Sequence, residues 1–410
     1  MPSFTNEGRV HVGAAVSLIL FGSHVPETLG QATDVDGAHA AVAAQYTFDN
    51  NLYRLPSLPD SALLRPNASR EDHITTVSAA GNGQWTLGRQ QFLADMKIAN
   101  NRFVRNSELN NNSGSYRITW NWTVSPFVTG DAGAEFNRAL AGFANERFLG
   151  RDLLQTTGYF GDLRFRVANH WQLVAGVKGS HLTHSLDARR GENFRSNSGN
   201  AAVRYYTSEQ DYLALDYRYT NYRFAQPTSF NGLPFDPDCN DSTETLQVKH
   251  ALTGKTSVYA SVGYLKRHYL HDSSGSFAGQ IWHAKLLWQA SGKTHVDLET
   301  WRDLTANLEA QSDYFVSRGG SISPVWDPTT RISLSLLASW SSQEYLGASP
   351  SAIQFTRRHD NRVTQQLNLR YRPRDALTLT LSYQHEYRDS NIPVLAYNDR
   401  TGSADIQLSF

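Results

Sequence analysis

The chain is organised by alternation. Tyr116, Ile118, Trp120, Trp122 and Val124 interleave with Arg117, Thr119, Asn121 and Thr123, and Leu377, Leu379, Leu381 and Tyr383 interleave with Thr378, Thr380, Ser382 and Gln384. The same two-residue period runs through 42–48, 163–167, 213–219, 282–288 and 367–371. A period of two makes a strand with one apolar and one polar face. It predicts strands over 41–54, 71–85, 89–104, 113–124, 127–143, 152–168, 171–185, 193–207, 211–224, 242–253, 256–269, 277–290, 294–306, 312–326, 331–346, 358–373, 376–389 and 394–410. Alternation is poorest in 71–85 and 312–326, where glycines intrude, so sixteen strands is the alternative to eighteen.

Two kinds of connection alternate. One is tight and built from turn residues: "TGKT" at Gly254, "SGKT" at Gly292, "DPTT" at Pro328 and "PRDA" at Arg374. The other is long and polar, as in "RNSELNNNSG", "DARRGEN" and "QPTSFNGLPFDPDCNDS". Each repeat is therefore a long hairpin, with all tight turns at one end of the sheet. The predicted strands run to about ten residues or more, the length a tilted strand needs to cross a bilayer. Aromatic residues sit near strand ends (Trp85, Trp171, Tyr205, Tyr206, Tyr212, Tyr264 and Trp288), as interfacial girdles require. Lipid offers no partner to a sheet edge, so the sheet must close. The expected fold is a transmembrane antiparallel up-and-down β-barrel, all-β, in the outer membrane of a Gram-negative bacterium. Tight turns are then periplasmic, and 226–241 is an extracellular loop that exposes Cys239. "SADIQLSF", Ser403 to Phe410, reads as the closing strand, and its terminal aromatic, Phe410, as an assembly signal for the outer-membrane insertion machinery.

Composition sharpens this picture. The 410 residues carry 38 basic and 38 acidic side chains, so no bulk electrostatic partner such as nucleic acid is indicated. The single cysteine allows no internal disulfide and no Cys-x-x-Cys metal site. No apolar run reaches the 18 residues of a membrane helix. Arg9, the apolar stretch Val12 to Phe21 and Gly30-Gln31-Ala32 read as a signal peptide over 1–32, leaving the barrel as 33–410.

If apolar side chains face lipid, the polar set faces the lumen. Strand parity sends Lys97, Arg117, Arg164, Arg166, Lys178, Arg204, Arg218, Lys249, Arg267, Lys285, Arg362, Arg370, Arg372 and Arg388 inward. The acids assigned the same way are Asp95, Asp131, Glu135, Asp162, Asp216, Asp297, Glu299, Glu386 and Asp405. Such a lumen is net basic and concentrates anions. Tyr206 and Tyr259 also point inward and are placed to stack on sugar rings. Catalysis is disfavoured. His181 and His184, beside Ser180 and Ser185, fall on opposite faces of a strand, as do His268 and His271, beside Asp272 and Ser273. The acids of "FDPDCNDS" (Asp236, Asp238, Asp241) lack the glycine and distal glutamate of a calcium loop and read as solvated. "SGKT" lacks a preceding glycine-rich stretch and reads as a hairpin turn. No cofactor or metal is expected.

"DNNLYRLP" (Asp49 to Pro56) and "EFNRALAGFANERFLGRDLLQTTGYFGDLRFRVANHWQLVAGV" (Glu135 to Val177), with the leader and Phe410, resemble the EpsL family of exosortase-associated exopolysaccharide biosynthesis proteins. The resemblance covers roughly 45–410 and brings no catalytic residues. It implies an outer-membrane conduit exporting an exopolysaccharide, with outer-membrane lipids and periplasmic polysaccharide-export components as further partners. A basic lumen adds that the polymer would be anionic. The rival readings are a general or small-solute porin and, less favoured, a barrel enzyme.

Overall fold

The computed structural model describes residues 36–59, 64, 68–144, 149–208, 211–226, 228–230, 233–271, 276–306, 314–346 and 357–410. The predicted leader over 1–32 lies outside them. Eighteen antiparallel strands form one closed sheet: β1 (Gly37–Asp49), β2 (Asp72–Leu87), β3 (Gln90–Phe103), β4 (Asn111–Ser125), β5 (Val128–Leu140), β6 (Leu153–Arg166), β7 (Trp171–His184), β8 (Phe194–Tyr206), β9 (Tyr212–Phe224), β12 (Cys239–Thr253), β13 (Thr256–Tyr269), β14 (Phe277–Ser291), β15 (Thr294–Ala306), β16 (Tyr314–Thr329), β17 (Ile332–Leu346), β18 (His359–Arg374), β19 (Leu377–Ser390) and β20 (Tyr397–Ser409). A short hairpin, β10 (Thr228–Phe230) with β11 (Leu233–Phe235), lies in the long β9–β12 connection. Consecutive wall strands pair in order, and β20 pairs with β1 from Ala41↔Ser409 to Asp49↔Thr401. Phe410 and Ala40 exchange backbone hydrogen bonds beyond that ladder, N–O 2.8 and 3.2 Å. Both poorly alternating segments are wall strands, so sixteen is excluded.

The register explains which residues meet lipid. Val42, Val77, Met96, Ile98, Val177, Leu215, Val262, Leu381 and Ile406 are exposed on one parity, and their neighbours on the other parity are polar or buried. A charge at the middle of this belt costs roughly 2–4 kcal/mol. Trp85, Trp120, Trp171, Trp288 and Trp326 project outward near the tight-turn end. Tyr206 and Tyr212 do not join that girdle. They face inward, Tyr206 donating to Gln172 Oε1 at 3.1 Å and Tyr212 lying under Arg204, 5.4 Å from guanidinium to ring centre. The tight turns are as short as two residues. Gly88 in the β2–β3 turn has φ +63°, a conformation that glycine adopts without the steric cost other residues meet. An even-numbered closed barrel with an apolar outer belt is the architecture of Gram-negative outer membranes. The protein is an outer-membrane barrel.

Two boundaries differ in ways that matter. β1 was expected to run to 54 but ends at Asp49, and residues 50–56 turn off the wall and are almost all buried. The alternation at Leu52 and Arg54 marks packing inside the mouth rather than a lipid face. Cys239, expected in an exposed loop, is the first residue of β12 and only 2% exposed. Its inward neighbours Tyr222 and Tyr269 shut it off, so a thiol reagent at the cell surface meets no accessible sulfur.

Candidate functional site: the lumen and its extracellular mouth

The mouth is built by connections that leave the wall and return to it. Asn51 is the first clasp. Its Nδ2 donates to Leu55 O (2.8 Å) and to Asn398 O on β20 (3.0 Å), and its Oδ1 accepts from Leu55 N (2.9 Å). A side-chain amide here supplies the partners that a strand would otherwise give the backbone. Arg54 follows with φ 55°, a left-handed conformation costing a non-glycine residue roughly 1–2 kcal/mol. Three inward carboxylates hold it there: Asp49 at 3.0 Å, Asp399 at 3.0 Å and Glu386 at 3.8 Å. Burial alone would depress the Arg54 guanidinium, but these acids outweigh it and raise its pKa above the ordinary value. Arg362 also approaches Glu386, at 3.6 Å, and Tyr397 donates to it at 2.6 Å.

Tyr53 carries the segment into an apolar cluster with Leu52, Leu55, Phe103, Leu109 and Phe143. Its ring meets Phe143 edge-on, centroids 4.8 Å apart, and its hydroxyl donates to Asn106 Oδ1 at 3.2 Å. Fully buried Asp72 fixes Asn106 by accepting from both its backbone and side-chain nitrogens, each at 2.8 Å. From the other side, Arg388 on β19 donates to Ala144 O in the β5–β6 connection, and through Nε to Leu395 O at 2.7 Å. In wall order β19 and β5 are separated by β20, β1, β2, β3 and β4. The 141–144 segment therefore reaches across that sector inside the mouth and packs on the 51–55 segment.

A second cluster closes the β6–β8 sector. Asp152, with no exposure, is 2.6 Å from His184 Nδ1 and 3.1 Å from Arg189 Nη1, and Arg189 also binds Glu192 at 2.6 Å. Ser185 Oγ bonds to Asp152 at 3.4 Å, not to the imidazole. With its serine on the acid and its histidine between two acids, the cluster is a loop lock rather than a nucleophile–base pair. His181, on the outer face, pairs in register with Arg195. Asp236 and Asp238 come together with His271, close enough in principle to share a cation. Asp236 instead pairs with His271 at 3.4 Å and Asp238 with Arg223 at 3.6 Å. Asp241 is not part of this group: it is buried on β12 and forms a bidentate pair with Arg267, Nε–Oδ1 2.6 Å.

Register puts all fourteen predicted cations on the inner face, but in two tiers. Arg267, Arg362 and Arg388 belong to the mouth. There the acids that strand parity did not send inward, Asp49, Asp360 and Asp399, and Asp241, which was expected in a solvated loop, are buried with their own partners, Arg358 pairing with Asp360 at 2.7 Å. Strand ends hid these acids: each lies within four residues of a boundary, where alternation is shortest. Below the mouth lie Lys97, Arg117, Arg164, Arg166, Lys178, Arg204, Arg218, Lys249, Lys285, Arg370 and Arg372, with the acids Asp95, Asp131, Glu135, Asp162, Asp216, Asp297, Glu299 and Asp405 and two that parity had not assigned, Asp303 beside Glu299 and Asp327 near Arg370. Some are matched. Glu135 takes Arg117 at 3.1 Å and Lys178 at 3.2 Å, Arg164 binds Asp131, and Lys285 binds Asp297 at 3.1 Å. His283, absent from the sequence reading, bonds Glu299 at 2.5 Å. Among the described residues, Arg166, Lys249, Arg370 and Arg372 have no carboxylate at ion-pair distance. Tyr259 lies inward beside His283, ring centres 6.4 Å apart.

Comparison with known proteins fits this geometry. Residues 245–410 match the profile of a family described as "Putative beta-barrel porin 2". No curated protein matches the sequence. Among solved structures, the chain is similar to a BenF-like porin from Pseudomonas fluorescens Pf-5, with TM-score 0.51 and 10% identity over 91% of this chain and 99% of that one. It is also similar to OpdK from Pseudomonas aeruginosa, solved with vanillate, with TM-score 0.51 and 12% identity over 91% and 99%. At such identities the likeness is one of fold. The chain is a porin-like outer-membrane β-barrel.

Proposed function

We propose that the barrel is a passive channel for small solutes and that it prefers anions, carboxylates above all. The observation that carries this reading is the tiered lumen. A mouth narrowed by 51–56 and 141–144 stands above a wall on which, among the described residues, Arg166, Lys249, Arg370 and Arg372 have no carboxylate at ion-pair distance. A narrow mouth selects by size, and unpaired arginines favour carboxylates because their planar fork matches the two oxygens. Their attraction is stronger in a confined space with low-dielectric walls than in open water. That OpdK was solved with vanillate, itself a carboxylate, is in keeping with this reading.

Export of an exopolysaccharide, implied by the EpsL resemblance, is less well supported. Of the residues that carry the resemblance, Asp49 to Pro56 and, within Glu135 to Val177, Phe143, Ala144 and Asp152 are packed into the mouth, while the rest of the second stretch is mostly wall. A sliding polymer would have to displace Tyr53 from Phe143 and Arg54 from its three acids. The experiment is the reversal potential of the purified wild-type barrel in a planar bilayer under a salt gradient. An anion-selective potential is expected; a cation-selective or null potential would overturn the anion preference.

A further inference from the structure

Arginines also face outward, and they gather at one end. Arg102, Arg138, Arg195, Arg318 and Arg400 lie on outward parity, exposed, within five residues of the extracellular ends of β3, β5, β8, β16 and β20. Arg138 lies two residues beyond Phe136, whose ring stacks on Tyr116 at the upper edge of the apolar belt. Among the described residues, no strand carries an outward lysine or arginine in the belt's middle; at the periplasmic end exposed Arg374 stands opposite Leu377 beside its tight turn, and His250 is held by Asp211 at 3.2 Å.

Two of these cations stand directly opposite another arginine. Arg195 on β8 is the register partner of Arg223 on β9, with His181 on its other side. Arg302 on β15 is the register partner of Arg318 on β16. Like charges directly opposite on a sheet destabilise it, and the neighbouring acids do not cancel them. Arg223 reaches Asp238 at 3.6 Å and donates to Tyr222 O at 2.8 Å, leaving Arg195 with no carboxylate at ion-pair distance. Glu344 lies near Arg302 but outside ion-pair distance, and Arg302 Nη1 is buried with no hydrogen-bond partner. The outward Glu244 stands a strand away from Arg223, between Tyr217 and Tyr264.

A tetrahedral dianion accepting from two guanidinium groups would resolve both oppositions. From this geometry we infer that Arg195–Arg223 and Arg302–Arg318 are two sites for the phosphate groups of phosphorylated lipids in the outer leaflet. Their height, one step above the aromatic edge of the belt, is the height of a headgroup. Free phosphate has the same chemistry but no acyl chains to lie against Tyr217, Tyr219, Trp340 and the belt below.

The test uses the full barrel in detergent and native mass spectrometry. Diphosphorylated lipid A, the same lipid stripped of phosphate, and inorganic phosphate are offered in turn to the wild type and to Arg195→Gln/Arg318→Gln. The wild type should retain up to two diphosphorylated lipids. It should retain the stripped lipid at least tenfold less and show no saturable inorganic phosphate. The double variant, with heat-modifiability showing that it is folded, should lose most of the retained lipid. A control His250→Gln should keep it. Equal retention of stripped and phosphorylated lipid by the wild type would overturn the inference without any variant, as would a folded double variant that retains lipid like the wild type.

Discussion

Replacing Arg54 by Met should open the extracellular mouth and raise single-channel conductance. Arg54 holds Asp49, Asp399 and Glu386 together at 3.0 to 3.8 Å. Methionine leaves those three carboxylates buried without their common cation, a change that costs roughly 3–5 kcal/mol when one partner of a buried pair is lost. The left-handed φ at position 54 is then held by nothing but Asn51 and the turn. The least costly response is local: residues 50–56 swing out, water reaches the acids, and Tyr53 leaves Phe143. The eighteen-stranded wall does not depend on this segment, so the barrel should still fold and remain heat-modifiable. Single-channel recording checks the result. Unchanged conductance in a folded variant would mean that the 51–56 segment does not bound the passage.

The second large effect concerns selectivity. Changing Arg166, Lys249, Arg370 and Arg372 together to Glu converts the eleven cations and ten acids placed below the mouth into seven and fourteen. That reverses the sign of the charge that focuses ions in the lumen. None of the four is held by a carboxylate, so no inward acid is orphaned by the change. Arg164 is left alone because it binds fully buried Asp131. The reversal potential should move from the anion side to the cation side. The shift should be largest at about 0.01 M salt, where charges act over roughly 30 Å, and nearly absent at 1 M, where they act over about 3 Å. A variant with wild-type reversal potential at low salt would show that these side chains do not set the field in the passage.

The wall was legible because its physics is local. A strand crossing lipid must alternate for its whole length, so Leu377 to Tyr383 or Tyr116 to Val124 announce both the strand and its lipid face. Even the doubtful segments 71–85 and 312–326 follow from closure, since an open edge has no partner in a bilayer. The mouth was not legible because its physics is non-local. Asn51 needs Asn398, Tyr53 needs Phe143, and Arg54 needs Asp399 and Glu386, all far away in sequence. Local pattern read 50–54 as the end of a strand, where the fold turns the chain inward. The parity rule gave the direction of inward cations but missed Asp49, Asp241, Asp360 and Asp399 near strand ends, and with them the neutralisation of the mouth. Cys239 failed for a related reason: polar neighbours in "DPDCNDS" suggested solvent, but Asp241 is neutralised by Arg267 within the barrel.

The most direct test of the channel reading is osmotic swelling of liposomes that contain the purified wild-type protein. Swelling should be fast in small organic anions, slower in neutral sugars of similar size, and absent in isosmotic oligosaccharides and longer polysaccharides. Swelling that is fast for oligosaccharides, or that ignores both charge and size, would contradict a narrowed, cation-lined passage and restore a polymer conduit as the better account.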